Sequence, residues 1–161
     1  MKISTSFSLT ALSPLDGRYH SKTKILQPLF SEAGFIFHRV KVELAWFVAL
    51  SEANLDELQP LSSTSLKKIK QILAEFSEKD AKKIKEIEKV TKHDVKAIEY
   101  WIKEKLKYHD ELKSASEFIH FACTSEDINN TAYGLMLKDS RDNIIIPYIR
   151  LIIKKLVKLS H

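Results

Sequence analysis

Apolar residues recur at helical spacing along most of the chain, and the polar residues fall between them on the opposite faces. From Ser31 to about Ala53, residues Phe35, Val42, Leu44, Trp46, Phe47 and Leu50 make a broad apolar face, which predicts a core helix. Ser62 to Phe76 places Leu66, Ile69, Ile72, Leu73 and Phe76 on one side, with Lys67, Lys68, Lys70 and Gln71 mostly on the other. Ser77 to Val90 repeats the pattern, Ala81, Ile84 and Ile87 against Lys82, Lys83, Lys85 and Glu86. A polar break at Thr91-Lys92-His93-Asp94 precedes a further helix on Val95, Ile98, Ile102 and Leu106, with Asp94 as its expected N-cap. A last helical pattern, marked by Leu135, Met136, Ile145, Ile149, Ile152, Ile153 and Leu156, runs to the end of the chain, and Pro147 should kink or restart it. Lys22 to Phe30 reads as a short helix around Pro28, and Asn54 to Pro60 as a connector. Met1 to Tyr19 reads as irregular, with a turn at Pro14 and Asp16-Gly17. The pattern predicts an all-α fold.

Ser114 to Asn130 stands apart because a short apolar run, Phe118, Ile119, Phe121, Ala122 and Cys123, leads directly into a polar one. The first group is expected to anchor a helical turn in the core. Thr124, Ser125, Glu126, Asp127, Asn129 and Asn130 then gather hydroxyls, carboxylates and amides, a set that suits either an N-cap or a ligand carboxylate. Two further places leave the same choice open. Arg18 and Tyr19 follow a tight turn and could face a ligand, or Tyr19 could pack while Arg18 stays in solvent. His93 could point off the positive end of a helix toward an anion, or be an incidental exposed side chain. His38, alone on a core helix, reads as a packed or surface residue rather than a metal ligand.

Composition narrows the classes. Hydrophobic residues make up 44% of 161 positions, and only 3 Gly and 4 Pro argue against a many-turned β fold. The net charge of +5 comes from 26 basic and 21 acidic residues that alternate along the helices, so the excess is diluted over wet faces. Cys123 is the single cysteine, which excludes an internal disulfide and, among apolar neighbours, reads as a buried structural thiol rather than a nucleophile. No Gly-rich phosphate loop and no metal-ligand spacing occurs. The N-terminus lacks the form of a signal peptide and no apolar run reaches the length of a membrane span, so a soluble, cytoplasmic protein is expected.

Three motifs in order, Ser13-Pro14-Leu15-Asp16-Gly17-Arg18-Tyr19, Thr91-Lys92-His93-Asp94-Val95-Lys96-Ala97 and Ser116 through Asn130, resemble the adenylosuccinate lyase family of the fumarase and aspartase superfamily, in its longer bacterial type. The resemblance implies a mostly α-helical homotetramer. Residues 1–112 would be the N-terminal helical domain, and residues 113–161 the start of the central bundle with its first long helix. The terminal helix stops without a Gly or a capping signal, which predicts the front part of something longer.

The implied reaction is a β-elimination that splits adenylosuccinate into AMP and fumarate, and the succinylated carboxamide ribotide (SAICAR) into AICAR and fumarate, with no cofactor and no metal. Carried over by motif, Arg18 and Tyr19 match the family's nucleotide-binding pair, and His93 and Asp94 its substrate-binding pair. Thr124 and Ser125 match the residues that bind the succinyl carboxylate, and Lys92 stands where relatives often carry Asn. The family's general-acid His and its catalytic Ser loop should lie beyond residue 161, so binding residues alone are expected here. A different reading is a non-enzymatic helical module whose lysine faces bind nucleic acid or a protein. Three polar motifs at helix starts add nothing to a basic stripe, so nucleic acid is not the expected partner.

Overall fold

The computed structural model describes residues 10–160 apart from Asn54; the expected irregular segment at residues 1–9, the first residue of the connector and His161 lie outside the described residues. Nine α-helices are found among them: α1 His20–Thr23, α2 Gln27–Phe30, α3 Glu32–Ser51, α4 Ser63–Ala74, α5 Glu78–Thr91, α6 Asp94–Leu106, α7 Asp110–Ser114, α8 Ser125–Ser140 and α9 Ile146–Leu159. No strand forms among the described residues, where Leu55 and Leu58 make a lone antiparallel bridge.

Helix α3 is the axis of the domain. Ile36, Val40, Leu44 and Phe47 are buried against Ile69 and Ile72 of α4, Ala81 and Ile84 of α5, and Ala97, Ile98, Trp101 and Ile102 of α6. Apolar side chains on nearly every side suit a helix that is surrounded rather than laid on a surface. Local signals set the ends of the elements. Ser31 accepts the Gly34 N–H at 3.1 Å to start α3, and Ser77 with Asp80 forms a capping box at the start of α5. Glu111 binds the Ser62 N–H at 2.8 Å and the Ser62 and Ser65 hydroxyls, tying the start of α4 to α7. Of the two settings open to His38, packed or surface, the structure takes the packed one. Its Nδ1–H donates to the Gly34 carbonyl at 2.7 Å, and its Nε2 lies 3.6 Å from Asp139 on α8.

Two local expectations are corrected. Residues 118–123 do not form a helical turn in the core. A short 3₁₀ turn at Ser116–Phe118 gives way to a turn in which His120 and Ala122 take φ of 64° and 57°, and within this run only Ile119 is buried. Asp94 is not the N-cap of α6; His93 is, with its Nδ1 accepting the Lys96 N–H at 3.1 Å. Lys92 is left-handed at φ 55°, so the chain leaves α5 there and α6 starts one residue earlier than expected.

Pro147 marks where the last helix restarts, as expected: it stands in the first turn of α9, which begins at Ile146. A π turn over Arg141–Ile145 joins α8 to α9, with the Ile146 N–H reaching back to the Arg141 carbonyl. The wider turn comes just where the proline ring would press on the carbonyl four residues earlier. Beyond it, α9 stands clear of the domain, with Ile149, Ile152, Ile153 and Leu156 all exposed.

Candidate functional site

The starts of α6 and α8 are brought together on one side of α3. Val95, in the first turn of α6, and Ile128, in the first turn of α8, bury against Val42 of α3, with Ala132 completing the patch. Above this patch Arg39 of α3, only 5% exposed, bridges the two helices. Its Nη2 donates to Asp94 Oδ2 at 2.5 Å and its Nε to Asn129 Oδ1 at 2.8 Å, while the guanidinium lies 3.8 Å above the Phe35 ring. Asp94 also accepts the Val95 N–H, and its carboxyl is held below the usual range against the opposing pull of partial burial.

His93, which caps α6, uses Nδ1 as an acceptor, so the neutral ring carries its proton on Nε2 and offers an N–H outward. Lys92 is exposed and its ammonium meets no partner among the described residues; its left-handed backbone is its structural part. At the start of α8, Thr124 and Asp127 form a reciprocal capping box. The Thr124 N–H and hydroxyl bind Asp127 Oδ2 at 2.8 and 2.9 Å, which holds the Asp127 carboxyl below its ordinary value. The cap therefore occupies the Thr124 hydroxyl. The Ser125 hydroxyl and the Ser125 and Glu126 N–H groups remain as donors at the positive end of a 16-residue helix.

No hydrogen bond or ion pair among the described residues links Arg18 or Tyr19 to these two starts. Their turn is closed by Asp16, which accepts from the Ser13 N–H and hydroxyl at 2.9 and 3.0 Å, and by the Tyr19 N–H bonding the Pro14 carbonyl at 2.8 Å. The Arg18 guanidinium stacks over the Tyr19 ring at 4.9 Å and makes no ion pair among the described residues, which leaves its donors available.

The turn that leads into Thr124 is clamped to α3. Trp46 Nε1–H donates to the Phe121 carbonyl at 2.8 Å, and His120 Nδ1 lies 2.7 Å from Glu43 Oε1. Two non-glycine residues at positive φ are strained, by about 1–3 kcal/mol each, and the two clamps hold them there. Beside the turn runs a groove of about 700 Å³ lined by Val42, Trp46, Ala122, Cys123, Ile128 and Leu135 among others. Burial pushes the Cys123 thiol up, with Glu43 and Asp127 adding to the effect, so it is a poor nucleophile.

Glu43 is fully buried, and its Oε2 has no partner. Burial raises its pKa above 4.5 despite the opposing His120 contact, and Glu99 pushes the same way. A carboxyl raised by folding stabilises the fold below its unfolded value and loses that contribution as pH rises through the folded one. Glu43→Gln should therefore melt a few degrees above the parent at pH 7, with the gap closing toward pH 4.5. Thermal melts across that range check it, and a constant gap would assign the effect to packing.

Asn129 stood in the polar run singled out from the sequence, whereas Arg39 and Glu43 did not. The available signal was two charged residues four apart inside an apolar run, which places both on one inward stripe of α3.

A family model described as Lyase matches residues 17–161. The adenylosuccinate lyase of Vibrio cholerae serotype O1 is 50% identical over 154 residues, 95% of this chain and 34% of that protein. That of Haemophilus influenzae is 49% identical over 161 residues, 99% of this chain and 35% of the relative. The Escherichia coli K12 enzyme is 49% identical over 154 residues, again 95% and 34%. The chain thus spans about a third of the length of the curated relatives it matches. With the family model covering all but the first residues, the chain belongs to the lyase family.

Proposed function

We propose that these residues form the substrate-anion part of an adenylosuccinate lyase, which cleaves adenylosuccinate to AMP and fumarate, and SAICAR to AICAR and fumarate, by β-elimination in purine nucleotide synthesis. The observation that carries this reading is the convergence of the His93 and Thr124 helix starts on Arg39, in a chain about half identical to enzymes of that name. In the elimination a base takes a proton from the carbon beside a carboxylate, the charge spreads into that carboxylate, and an acid protonates the leaving nitrogen. Ser125 and the free N–H groups of α8 would hold the carboxylate, His93 Nε2–H would donate to a second anionic or carbonyl oxygen, and Arg18 would take the phosphate. The acid and base are assigned to residues outside these 161, so the chain by itself binds without turning over. The setting is cytoplasmic; no helix among the described residues is long and apolar enough to cross a membrane. On α5 and α6 the lyase is favoured over the nucleic-acid reading, because Lys82, Lys85, Lys96, Lys103 and Lys105 each pair with an acidic side chain, as does Lys107 just beyond α6.

In the full-length polypeptide, Arg18→Ala and His93→Ala should each lower kcat/KM for fumarate release by about tenfold or more, the value of a charge-assisted hydrogen bond, with the fold retained. Normal kinetics for either would remove that residue from the site. Residues 113–161 are assigned to the central bundle of a homotetramer, residues 1–112 to the N-terminal domain. Each buried Ile or Leu contributes about 1.5–3 kcal/mol, so the exposed row on α9 should drive the 161-residue chain into dimers or larger assemblies. Light scattering reads this directly, and a monodisperse monomer would contradict it.

A further inference from the structure

We infer that Arg39 is a positioning residue of the anion site: it sets the starts of α6 and α8 against each other and cancels the Asp94 charge beside His93, so that a carboxylate substrate can enter. The inference rests on the function proposed above.

The connections are specific. Arg39 links Asp94 to Asn129, and Asn129 in turn donates from Nδ2 to Glu126 Oε1 at 3.1 Å. This chain runs from the first residue of α6 to the first turn of α8. The two acceptors belong to different helices, and a planar fork with separate Nε and Nη2 donors meets both, which a lysine ammonium cannot do in the same plane. Phe35 fixes the plane from below, itself stacked on Tyr133 of α8 with ring centroids 4.4 Å apart.

Packing alone does not call for a charge here. A buried guanidinium gives little net stability over an apolar side chain of similar volume. Its effect on the site is larger. Asp94 Oδ1 lies 3.8 Å from His93 Nδ1, and Glu126 and Asp127 add two carboxylates at the start of α8. Without Arg39 an incoming carboxylate would meet an uncompensated Asp94. With it, the Asp94 charge is matched, and Glu126 is drawn toward the amides of Asn129 and Asn130.

The test uses the full-length polypeptide with Arg39→Lys, Arg39→Met, Asp94→Asn and the Arg39→Met/Asp94→Asn pair, reading KM and kcat for fumarate release, the inhibition constant of succinate, and melting. Arg39→Met should raise KM and the succinate constant about tenfold or more, the scale of a lost charge-assisted contact, and Arg39→Lys, which keeps the charge but loses the fork, should raise both by a smaller factor, each with a smaller change in kcat. Adding Asp94→Asn to Arg39→Met should recover most of the succinate loss, because the unmatched charge is gone. Unchanged constants in both Arg39 variants, or no recovery in the pair, overturn the inference. If Arg39→Met fails to fold, Arg39→Lys decides the positioning role, since it keeps the charge and the stem and loses only the fork that meets both helix starts, and unchanged constants there overturn the inference. Ser125→Ala separates this from the underlying reading. Succinate binding weakened by Ser125→Ala but not by the Arg39 variants removes Arg39 alone, whereas succinate binding indifferent to both removes the carboxylate site and the inference with it.

Discussion

Replacing Thr124 and Ser125 together by alanine should cut kcat/KM of the full-length polypeptide roughly 100-fold, since a hydrogen bond to a charged group contributes about 1.5–3 kcal/mol and 1.4 kcal/mol is a factor of ten. The two residues should contribute differently. The Thr124 hydroxyl is engaged with Asp127 in the capping box, so Thr124→Ala should lower stability by about 0.5–2 kcal/mol and disturb the geometry of the helix start. The Ser125 hydroxyl has no such engagement, so Ser125→Ala should leave melting almost unchanged while weakening turnover. Acting on the double variant, circular dichroism melts and fumarate release separate the two roles. A lowered melting point with kcat/KM intact would return the pair to capping alone.

The largest loss of stability is expected at Gly34. A Cβ there would stand 2.6 Å from the carbonyl oxygens of both Leu29 and Pro28, inside any real contact distance and against backbone rather than a movable side chain. The corner cannot open freely, because the Ser31 N–H bonds the Gln27 carbonyl at 3.1 Å and Ser31 caps α3 through the Gly34 N–H itself. Alanine gains about 1 kcal/mol of helix propensity over glycine, but overpacking costs about 1–3 kcal/mol and more where backbone must move. The clash wins. Gly34→Ala should lose about 2 kcal/mol, which lowers the melting temperature by roughly 2–4 °C per kcal/mol in a chain of this size. Because Phe35 follows directly and supports Arg39, activity in the full-length polypeptide should fall with it. A melt within a degree of the parent would mean that α2 swings away at no cost.

The helices were legible because their causes are local. Leu66, Ile69, Ile72 and Phe76 repeat at helical spacing, Ser31, Ser62 and Ser77 announce helix starts, and α3 through α5 fall where that pattern puts them. The turn at residues 118–123 was not legible. Its apolar run reads as core, yet Phe121 and Ala122 are exposed, because Glu43 and Trp46, some 75 residues earlier, hold its backbone in a strained path. The start of α6 was misplaced for a similar reason: Asp94 is a good cap by type, but Arg39 draws its carboxylate sideways and leaves His93 to accept the Lys96 N–H.

By itself the sequence determined that the chain is helical, where most helices begin, and that three polar motifs mark Arg18-Tyr19, His93-Asp94 and Thr124-Ser125. These follow from hydrophobic spacing, from short-range capping chemistry, and from a motif order that resembles one family of lyases. Only the tertiary structure decided that two of the three motifs meet on one side of α3, and that the Thr124 hydroxyl belongs to the cap while Ser125 keeps free donors. It also decided that one buried arginine joins Asp94 to Asn129. The reason is range: an i to i+3 bond can be read from neighbours, whereas the partners of Arg39 stand 55 and 90 positions away and are chosen by how α6 and α8 pack on Val42.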